Sequence, residues 1–164
     1  MVDREAAPGG RAGIVEDRGF RIDSGPTVLT MIGLLEQTFA AAGAGLDDHL
    51  SLRRLDPAYR ACFPDGSELR VRADRQAMIE EIHRFAGADE AAGFERFCAW
   101  LTGLYRLELP KFIDRNYDSA LDLARDPMAL VQLVRLGGLR KLAPTVARFF
   151  RDPRLQRIFS FQSM

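Results

Sequence analysis

Two glycine-containing stretches near the start of the chain have the residue types of a backbone that contacts phosphate. The first is Pro8-Gly9-Gly10-Arg11-Ala12, and the second is Ser24-Gly25-Pro26-Thr27. Glycine lets the main chain approach a ligand closely and adopt a positive φ, and the arginine guanidinium presents a fork of donors suited to phosphate oxygens. The alternative interpretation of the first stretch is a surface turn followed by a solvated arginine.

Composition excludes several other kinds of site. The 164 residues carry 23 Lys and Arg against 23 Asp and Glu, so net charge gives no argument for nucleic-acid binding. The spacing of zinc ligands is not found among the cysteines and histidines, which are Cys62, Cys98, His49 and His83. We therefore predict that there is no metal site and that both thiols are reduced. No stretch approaches the roughly 18 apolar residues of a membrane-spanning helix, and no signal peptide is seen. We therefore expect a cytoplasmic protein.

The elements that position the two glycine stretches follow from local pattern. Residues 12–17 and 20–23 have the pattern of two short strands on either side of Arg18-Gly19, which predicts a hairpin with a tight turn. Thr27 is a candidate N-cap for a helix that Gly43 and Gly45 end.

The hydrophobic period changes twice in the rest of the chain. Across residues 50–73 apolar and polar side chains alternate in three segments, with a turn at Pro64-Asp65-Gly66. This pattern predicts a three-stranded meander. Helical spacing begins at Asp74 and continues through residues 74–164, with Pro110 stopping one helix. We therefore expect a small sheet followed by several helices.

Residues 127–151 combine apolar side chains with positive charges only. No acidic residue lies between Asp126 and Asp152. Such a helix is typical of a peripheral contact with an anionic bilayer surface. The alternative is a pair of helices that covers the rest of the domain and leaves its arginines solvated.

Several blocks of the sequence, taken in order, resemble bacterial-type phytoene desaturases. These are flavin-dependent carotenoid desaturases within the amine-oxidase-like flavoprotein superfamily. Gly-Gly-Arg alone is shared by many flavoproteins, whereas the later blocks are more specific. The resembling blocks are Pro8–Ala12, Gly19–Thr27, Leu55–Arg60, Phe63–Ser67, Phe112–Asn116, Phe149–Arg154 and Phe159–Ser163.

The resemblance implies FAD as the cofactor, with contacts of three kinds. They are an acidic residue at the adenosine ribose, a loop along the diphosphate, and a segment near the flavin. In that order, the implied residues are Asp3; Gly9, Gly10 and Arg11; and Gly25, Pro26 and Thr27.

The resemblance also implies a fold class and a domain organisation. Residues 1–45 correspond to a partial Rossmann-like FAD-binding portion, and residues 46–164 to part of a substrate-binding domain. The second portion would hold a short antiparallel or mixed sheet and several helices, so the whole is α+β or α/β.

The implied activity is desaturation of phytoene or a related carotenoid precursor by hydride transfer to the flavin. The substrate would be a long apolar polyene, and a quinone or oxygen would reoxidise the flavin. A related ketolase, isomerase or diapophytoene desaturase is an alternative, as is a non-enzymatic remnant that binds no flavin. The family's Gly-x-Gly-x-x-Gly turn and its C-terminal flavin-binding segment are not in this sequence, so we interpret the chain as a fragment that is inactive by itself.

No catalytic residue is assigned. Arg151, Asp152 and Arg154 either handle a proton during desaturation or form a junction between helices in which Asp152 is the cap, and we favour the junction. Phe159 and Phe161 either line an apolar tunnel or belong to the core, and we favour the core.

Overall fold

The chain forms two units in this computed structural model. The structure describes residues 10, 12–25, 28–116, 118–119, 122 and 126–161. Contacts divide the chain into Met1–Arg53 and Arg54–Met164. The predicted functional boundary after residue 45 stays a prediction, and the two units are described separately.

The first unit begins with an antiparallel hairpin. Strands β1 (Ile14–Asp17) and β2 (Phe20–Asp23) pair, with Val15 opposite Ile22. Arg18 and Gly19 in the turn have φ values of 48° and 85°. Two consecutive positive φ values give a tight turn whose twist matches that of the strands, so the predicted hairpin is confirmed.

Helix α1 (Ile32–Ala41) follows the hairpin. It ends as predicted at Gly43, which has a φ of 77° and donates its N–H to the Ala40 carbonyl at 3.0 Å. Its start differs from the prediction, because the N-cap is Met31 and not Thr27. Thr27 lies outside the described residues. The apolar residues Val28, Leu29 and Met31 are exposed, and without a surface to pack against they gain little from helix formation.

The second unit opens with another antiparallel hairpin. Strands β3 (Tyr59–Cys62) and β4 (Glu68–Val71) pair across the predicted Pro-Asp-Gly turn. The Asp65 carboxylate accepts the Ser67 backbone N–H at 3.0 Å and the Ser67 hydroxyl at 2.5 Å. Such side-chain bonds stabilise a turn.

The first strand of the predicted meander does not form. Residues 51–55 have no regular secondary structure, and the sheet has two strands. The leucines there are spaced 50, 52 and 55, which breaks the period of two that a strand requires. The next residues are Asp56-Pro57, and proline has no N–H to donate to a ladder. The prediction of three strands is therefore wrong.

Two long helices follow the sheet. Asp74 caps α2 (Arg75–Ala86) by accepting the Ala77 N–H at 2.8 Å, and α3 spans Ala88–Glu108. The α-helix ends at Glu108, just before Pro110, as predicted. The chain then continues in a π-helical turn, Leu109–Ile113, which contains Pro110. Since proline cannot continue the α-helical ladder, the turn widens there.

Three shorter helices complete the second unit. They are α4 (Pro127–Leu136), α5 (Leu142–Val146) and α6 (Pro153–Ser160). Asp126 caps α4 and Asp152 caps α6, and each is followed by a proline at the first helical position. An N–H at that position would form no hydrogen bond within the helix, so proline costs none there.

The core lies in the second unit. Gly93 of α3 meets the backbone before α6 so closely that a Cβ there would collide with the Phe149 carbonyl oxygen. Among the described residues, Leu46 is the one buried hydrophobic side chain of the first unit. The largest fully buried side chains are Phe150, Leu69, Met78, Ile82, Leu155 and Val146.

The described residues thus form an α+β fold of six α-helices and two small antiparallel sheets. They contain no parallel strands, so the Rossmann-like portion stays a prediction. Within the same residues, no helix is both long enough and apolar enough to cross a bilayer.

Candidate functional site

The hairpin β1–β2 brings Ala12 and Ser24, the last residue of the first glycine stretch and the first residue of the second, to one end of the sheet. Ile14 is paired with Asp23, and the Ser24 N–H donates to the Gly13 carbonyl at 2.9 Å. The residues that flank this bond on the two sides are the end of the first stretch and the start of the second. We call this end of the sheet the hairpin base.

The hairpin base presents backbone more than side chains. Gly10 has a φ of 54°, and a Cβ built on it would face open space with no atom within 4 Å. A Cβ on Gly13 would lie 3.1 Å from Ser24 Oγ and 3.6 Å from the Gly10 carbonyl oxygen. An exposed main chain such as that at Gly10 can lie close against a phosphate group.

Gly10 and Gly25 are the predicted site residues that the structure describes. Gly10 is exposed and Gly25 is half-buried next to Ser24. The sequence reasoning did not single out Gly13 and Ser24 as site residues, although their position at the ends of the predicted strands could have indicated them. The remaining predicted residues lie outside the described residues and stay predictions: Asp3, Gly9, Arg11, Pro26 and Thr27.

Asp152 in the second unit has a structural role. It accepts the Arg154 backbone N–H at 2.8 Å, and Arg154 Nη2 lies 2.7 Å from Asp152 Oδ2. The side-chain hydrogen bonds from Arg154 hold the pKa of Asp152 below its ordinary value of 3.8. A carboxylate held ionised, with its oxygens already bonded, is poorly suited to accept a proton. The predicted helix junction is confirmed.

Arg154 links this junction to the sheet. Its Nη1 lies 3.0 Å from Asp65 Oδ2 and 3.0 Å from Ser67 Oγ, in the turn between β3 and β4. The guanidinium carbon also lies 4.3 Å from the centre of the Phe85 ring. Three groups lower the pKa of Asp65. The Ser67 hydroxyl has the largest effect, the Ser67 N–H the next, and Arg154 a smaller one.

The two candidate tunnel residues have different environments. Phe159 is stacked on Phe150 at 4.9 Å between ring centres and packs against the core, as predicted. Phe161 is 47% exposed, so the core position that we favoured for it is wrong. Its ring meets that of Tyr59 edge-on at 6.2 Å.

Phe161 and Tyr59 belong to an open groove of about 410 Å³ that Arg157 and Ile158 also line. Partial burial raises the pKa of Tyr59 above its ordinary value of 10.0, so its hydroxyl stays neutral. Apart from Arg157, the lining side chains are aromatic or aliphatic, which suits contact with a hydrocarbon. Sequence reasoning missed Tyr59 and Ile158, because strand and helix residues of these types are found in any core.

The basic and apolar stretch 127–151 places apolar side chains on two sides of α4. Ala129 and Leu133 are buried, whereas Met128, Val131 and Val134 are exposed. Spacings of three residues keep the exposed group on one side of the helix. We call Met128, Val131 and Val134 the outer face of α4.

Comparison with known proteins supplies the remaining observations. Residues 2–164 match the family model described as flavin containing amine oxidoreductase. The chain is 51% identical over 164 residues to a phytoene dehydrogenase of Streptomyces griseus, covering all of this chain and 32% of that protein.

Two further relatives give the same coverage. A zeta-carotene-forming phytoene desaturase of Myxococcus xanthus is 33% identical over 167 residues, covering all of this chain and 31% of that protein. A hydroxyneurosporene desaturase of Rhodobacter capsulatus is 38% identical over 162 residues, covering 97% of this chain and 32% of that protein. The chain thus spans about a third of the length of these relatives.

Proposed function

This chain belongs to the flavin-containing amine oxidoreductases, within the phytoene desaturase group, and from that premise we propose that it is part of an FAD-dependent enzyme that desaturates phytoene or a related carotenoid precursor. The observation that carries the proposal is the 51% identity to the Streptomyces griseus phytoene dehydrogenase across all 164 residues. The family resemblance drawn from the sequence motifs is confirmed by the same matches.

The hairpin base would hold the FAD diphosphate. Gly10 and Gly25 lie close in sequence to the Gly13–Ser24 bond, and a Cβ on Gly10 would face open space. We propose that Gly9 and Arg11 lie along the diphosphate with Gly10, that Pro26 and Thr27 lie near the flavin, and that Asp3 binds the ribose hydroxyls. A bound flavin would supply the hydride-accepting chemistry.

The chain's own contribution to the reaction would be to orient an apolar substrate. Tyr59, Ile158 and Phe161, which line the groove together with Arg157, offer apolar surface for part of a long polyene. Asp152 is held ionised by Arg154, so we assign it no proton transfer. A quinone or oxygen would accept the electrons from the reduced enzyme.

A chimera tests the proposal. The matching third of the Streptomyces griseus phytoene dehydrogenase is replaced by these 164 residues, and flavin content and desaturation of phytoene are measured. We expect the chimera to bind flavin and to desaturate. A folded chimera that binds flavin without desaturating would contradict the proposed activity.

Variants of the chimera test the hairpin base. Arg11→Ala removes a charged donor, and a charged hydrogen bond contributes about 1.5–3 kcal/mol, so we expect flavin affinity to fall about tenfold or more. Gly10→Val adds a side chain where the cofactor would lie and should do the same. Gly33→Ala is the matched control, because a Cβ there meets no atom within 4 Å; equal losses in all three would exclude this contact surface.

A second candidate function is that of a remnant that binds no flavin. One observation favours it for the isolated chain: the described part of the first unit has a single two-stranded sheet and one buried hydrophobic residue. We expect the purified chain, mixed with FAD and desalted, to show no visible flavin band. A band that survives desalting would contradict this expectation.

We further propose that the protein is cytoplasmic and contacts the membrane peripherally through residues 127–151. The exposed outer face of α4 supports this, since such a face is suited to the headgroup boundary. Replacing Met128, Val131 and Val134 by serine should reduce flotation with vesicles. Unchanged flotation would contradict the contact.

A further inference from the structure

Four arginines surround one cleft of about 430 Å³ in the second unit. They come from different parts of the chain: Arg96 from α3, Arg135 from α4, Arg140 from the turn after α4, and Arg148 from the segment after α5. No Asp or Glu lines this cleft. Within the described residues, none of the four guanidinium groups forms an ion pair. We call it the arginine cleft.

The floor of the arginine cleft is aromatic and fixed. The rings of Trp100 and Phe149 lie 5.7 Å apart, and Trp100 Nε1 donates to the Leu136 carbonyl at 2.7 Å. A Cβ on Gly137 would lie 3.1 Å from Cδ of Arg140. The absence of a side chain at Gly137 therefore lets the Arg140 stem lie against the end of α4.

Helix-end electrostatics explain only part of this arrangement. Cations near the C-terminus of a helix are favourable, which accounts for Arg135 and Arg140 at the end of α4. Arg96 is in the first half of α3, and Arg148 follows α5. Four like charges around one concave surface repel one another, and an anion bound between them would remove that cost.

We propose that the arginine cleft binds the phosphate group of an anionic phospholipid. Guanidinium groups pair with phosphate oxygens through two parallel hydrogen bonds, and the cleft offers four such groups with no carboxylate in its lining. Asp89 and Glu90 line a second cavity, which Arg96 and Arg148 share. This proposal rests on the membrane contact proposed above and names the chemical group that the protein recognises there.

The surroundings of the cleft favour a lipid over a free phosphate. The outer face of α4 is apolar and exposed, and Leu139, next to Arg140, is 71% exposed. A phospholipid combines an anionic headgroup with acyl chains, and the cationic cleft and the apolar residues beside it match those two parts. A soluble phosphate would leave the apolar residues without a partner.

The chain contains its own reporter of this binding. Trp100 is the single tryptophan of the sequence, and it forms the cleft floor. We expect phosphatidylcholine vesicles containing phosphatidylglycerol to change Trp100 emission saturably, and vesicles of phosphatidylcholine alone to have no effect. A spin label on the lipid headgroup should quench Trp100 more strongly than a label deep in the acyl chains, since the cleft would lie at the depth of the phosphates.

A matched pair of variants tests the arginines. One replaces Arg96, Arg135, Arg140 and Arg148 by glutamine, and the other replaces the exposed Arg53, Arg54, Arg75 and Arg106. Both lose the same charge. Each basic residue near an anionic surface strengthens binding by about fivefold, so we expect the cleft variant, which lacks four, to bind vesicles about 1,000-fold more weakly and the control to lose far less. Circular dichroism checks that both variants fold.

Three results would overturn the proposal. The first is an equal loss of vesicle binding in the two variants, with flotation otherwise intact; the membrane contact would then survive and the cleft assignment would fail. The second is Trp100 emission in the unmodified chain that does not respond to headgroup label, a measurement that needs no variant to fold. The third is competition by inorganic diphosphate at concentrations similar to those of the lipid, which would make a soluble anion the ligand.

Discussion

Gly93 is the point of closest approach between α3 and the backbone that precedes α6. A Cβ at Gly93 would collide with the Phe149 carbonyl oxygen, whereas a Cβ at Gly103 of the same helix meets no atom within 4 Å. We expect Gly93→Ala to destabilise the protein by about 1–3 kcal/mol through overpacking. Gly103→Ala should instead stabilise it by up to about 1 kcal/mol, since alanine is the better helix former.

Urea unfolding of the two glycine variants measures both effects. The same substitution in the same helix gives opposite signs if the Gly93 contact decides the outcome. Destabilisation of similar size in both variants would show that the close approach is relaxed at no cost.

Asp152 makes stability depend on pH in the acid range. Hydrogen bonds from Arg154 hold its pKa below 3.8 in the folded state, so the unfolded state takes up a proton first as the pH falls. The stabilisation is therefore complete above the unfolded pKa and is lost as the pH falls through the folded pKa. Asp152→Asn keeps an oxygen for the cap but removes this titration, and thermal unfolding between about pH 6 and pH 3 should show a shallower slope.

A control variant separates this effect from general charge loss. Asp47→Asn removes an exposed carboxylate of the first unit and should leave the slope close to that of the unmodified chain. An Asp152→Asn slope equal to that of the unmodified chain would remove Asp152 from the acid response.

At this scale the sequence was informative where local chemistry decides the outcome. The capping role of Asp152 follows from Asp before Pro at the start of a helix, and the structure confirms it. The Tyr59–Phe161 groove could not be predicted, because its members are about a hundred residues apart and have ordinary core types. The cleft arginines were visible only as a positively charged stretch, since Arg96 lies on a different helix from the others.

Helix α3 is joined to the start of α6 by the buried side chain of Glu90. Its carboxylate accepts the backbone N–H groups of Arg151 at 3.0 Å and Asp152 at 3.1 Å. Glu90→Ala would leave these two donors without a partner, and we expect a loss of about 1–3 kcal/mol in the free energy of unfolding. Glu90→Gln keeps one acceptor oxygen and should cost less.

Hydrogen exchange checks the same junction directly. The amides of Arg151 and Asp152 should lose protection in Glu90→Ala and keep part of it in Glu90→Gln. Unchanged protection in the alanine variant would mean that other groups hold this junction.

A helix or strand could be predicted where the spacing of its apolar residues and its turn or capping residues indicate the same boundaries. Both hairpin turns, the end of α1 and the start of α2 follow from glycine and aspartate at fixed offsets, and all four are observed. The strand at residues 50–55 failed because a strand needs a partner, which local pattern does not report. The start of α1 failed because the apolar residues before it have nothing to pack against.

The whole molecule divides unevenly, since nearly all described buried hydrophobic residues lie in the second unit. We expect a chain of residues 54–164 to unfold cooperatively, because burial of such residues is the main source of stability. Residues 1–53 alone should show no cooperative transition. Circular dichroism during thermal unfolding of the two pieces checks this.

Limited proteolysis of the full chain gives an independent result. Cleavage should occur first within residues 1–53 and leave a resistant fragment from the second unit. Early cleavage within α2 or α3 would contradict the assignment of the stable core.

Arg154 has a consequence for how the protein is made. It joins the β3–β4 turn across 87–89 residues of sequence, and its neighbours Phe150, Leu155 and Ile158 complete the core around Leu69 and Ile82. Synthesis proceeds from the N-terminus, so the ribosome has released the sheet and α2 long before their covering helix exists. During that interval the nascent chain exposes the residues of its future core, and exposed apolar surface of this kind promotes aggregation.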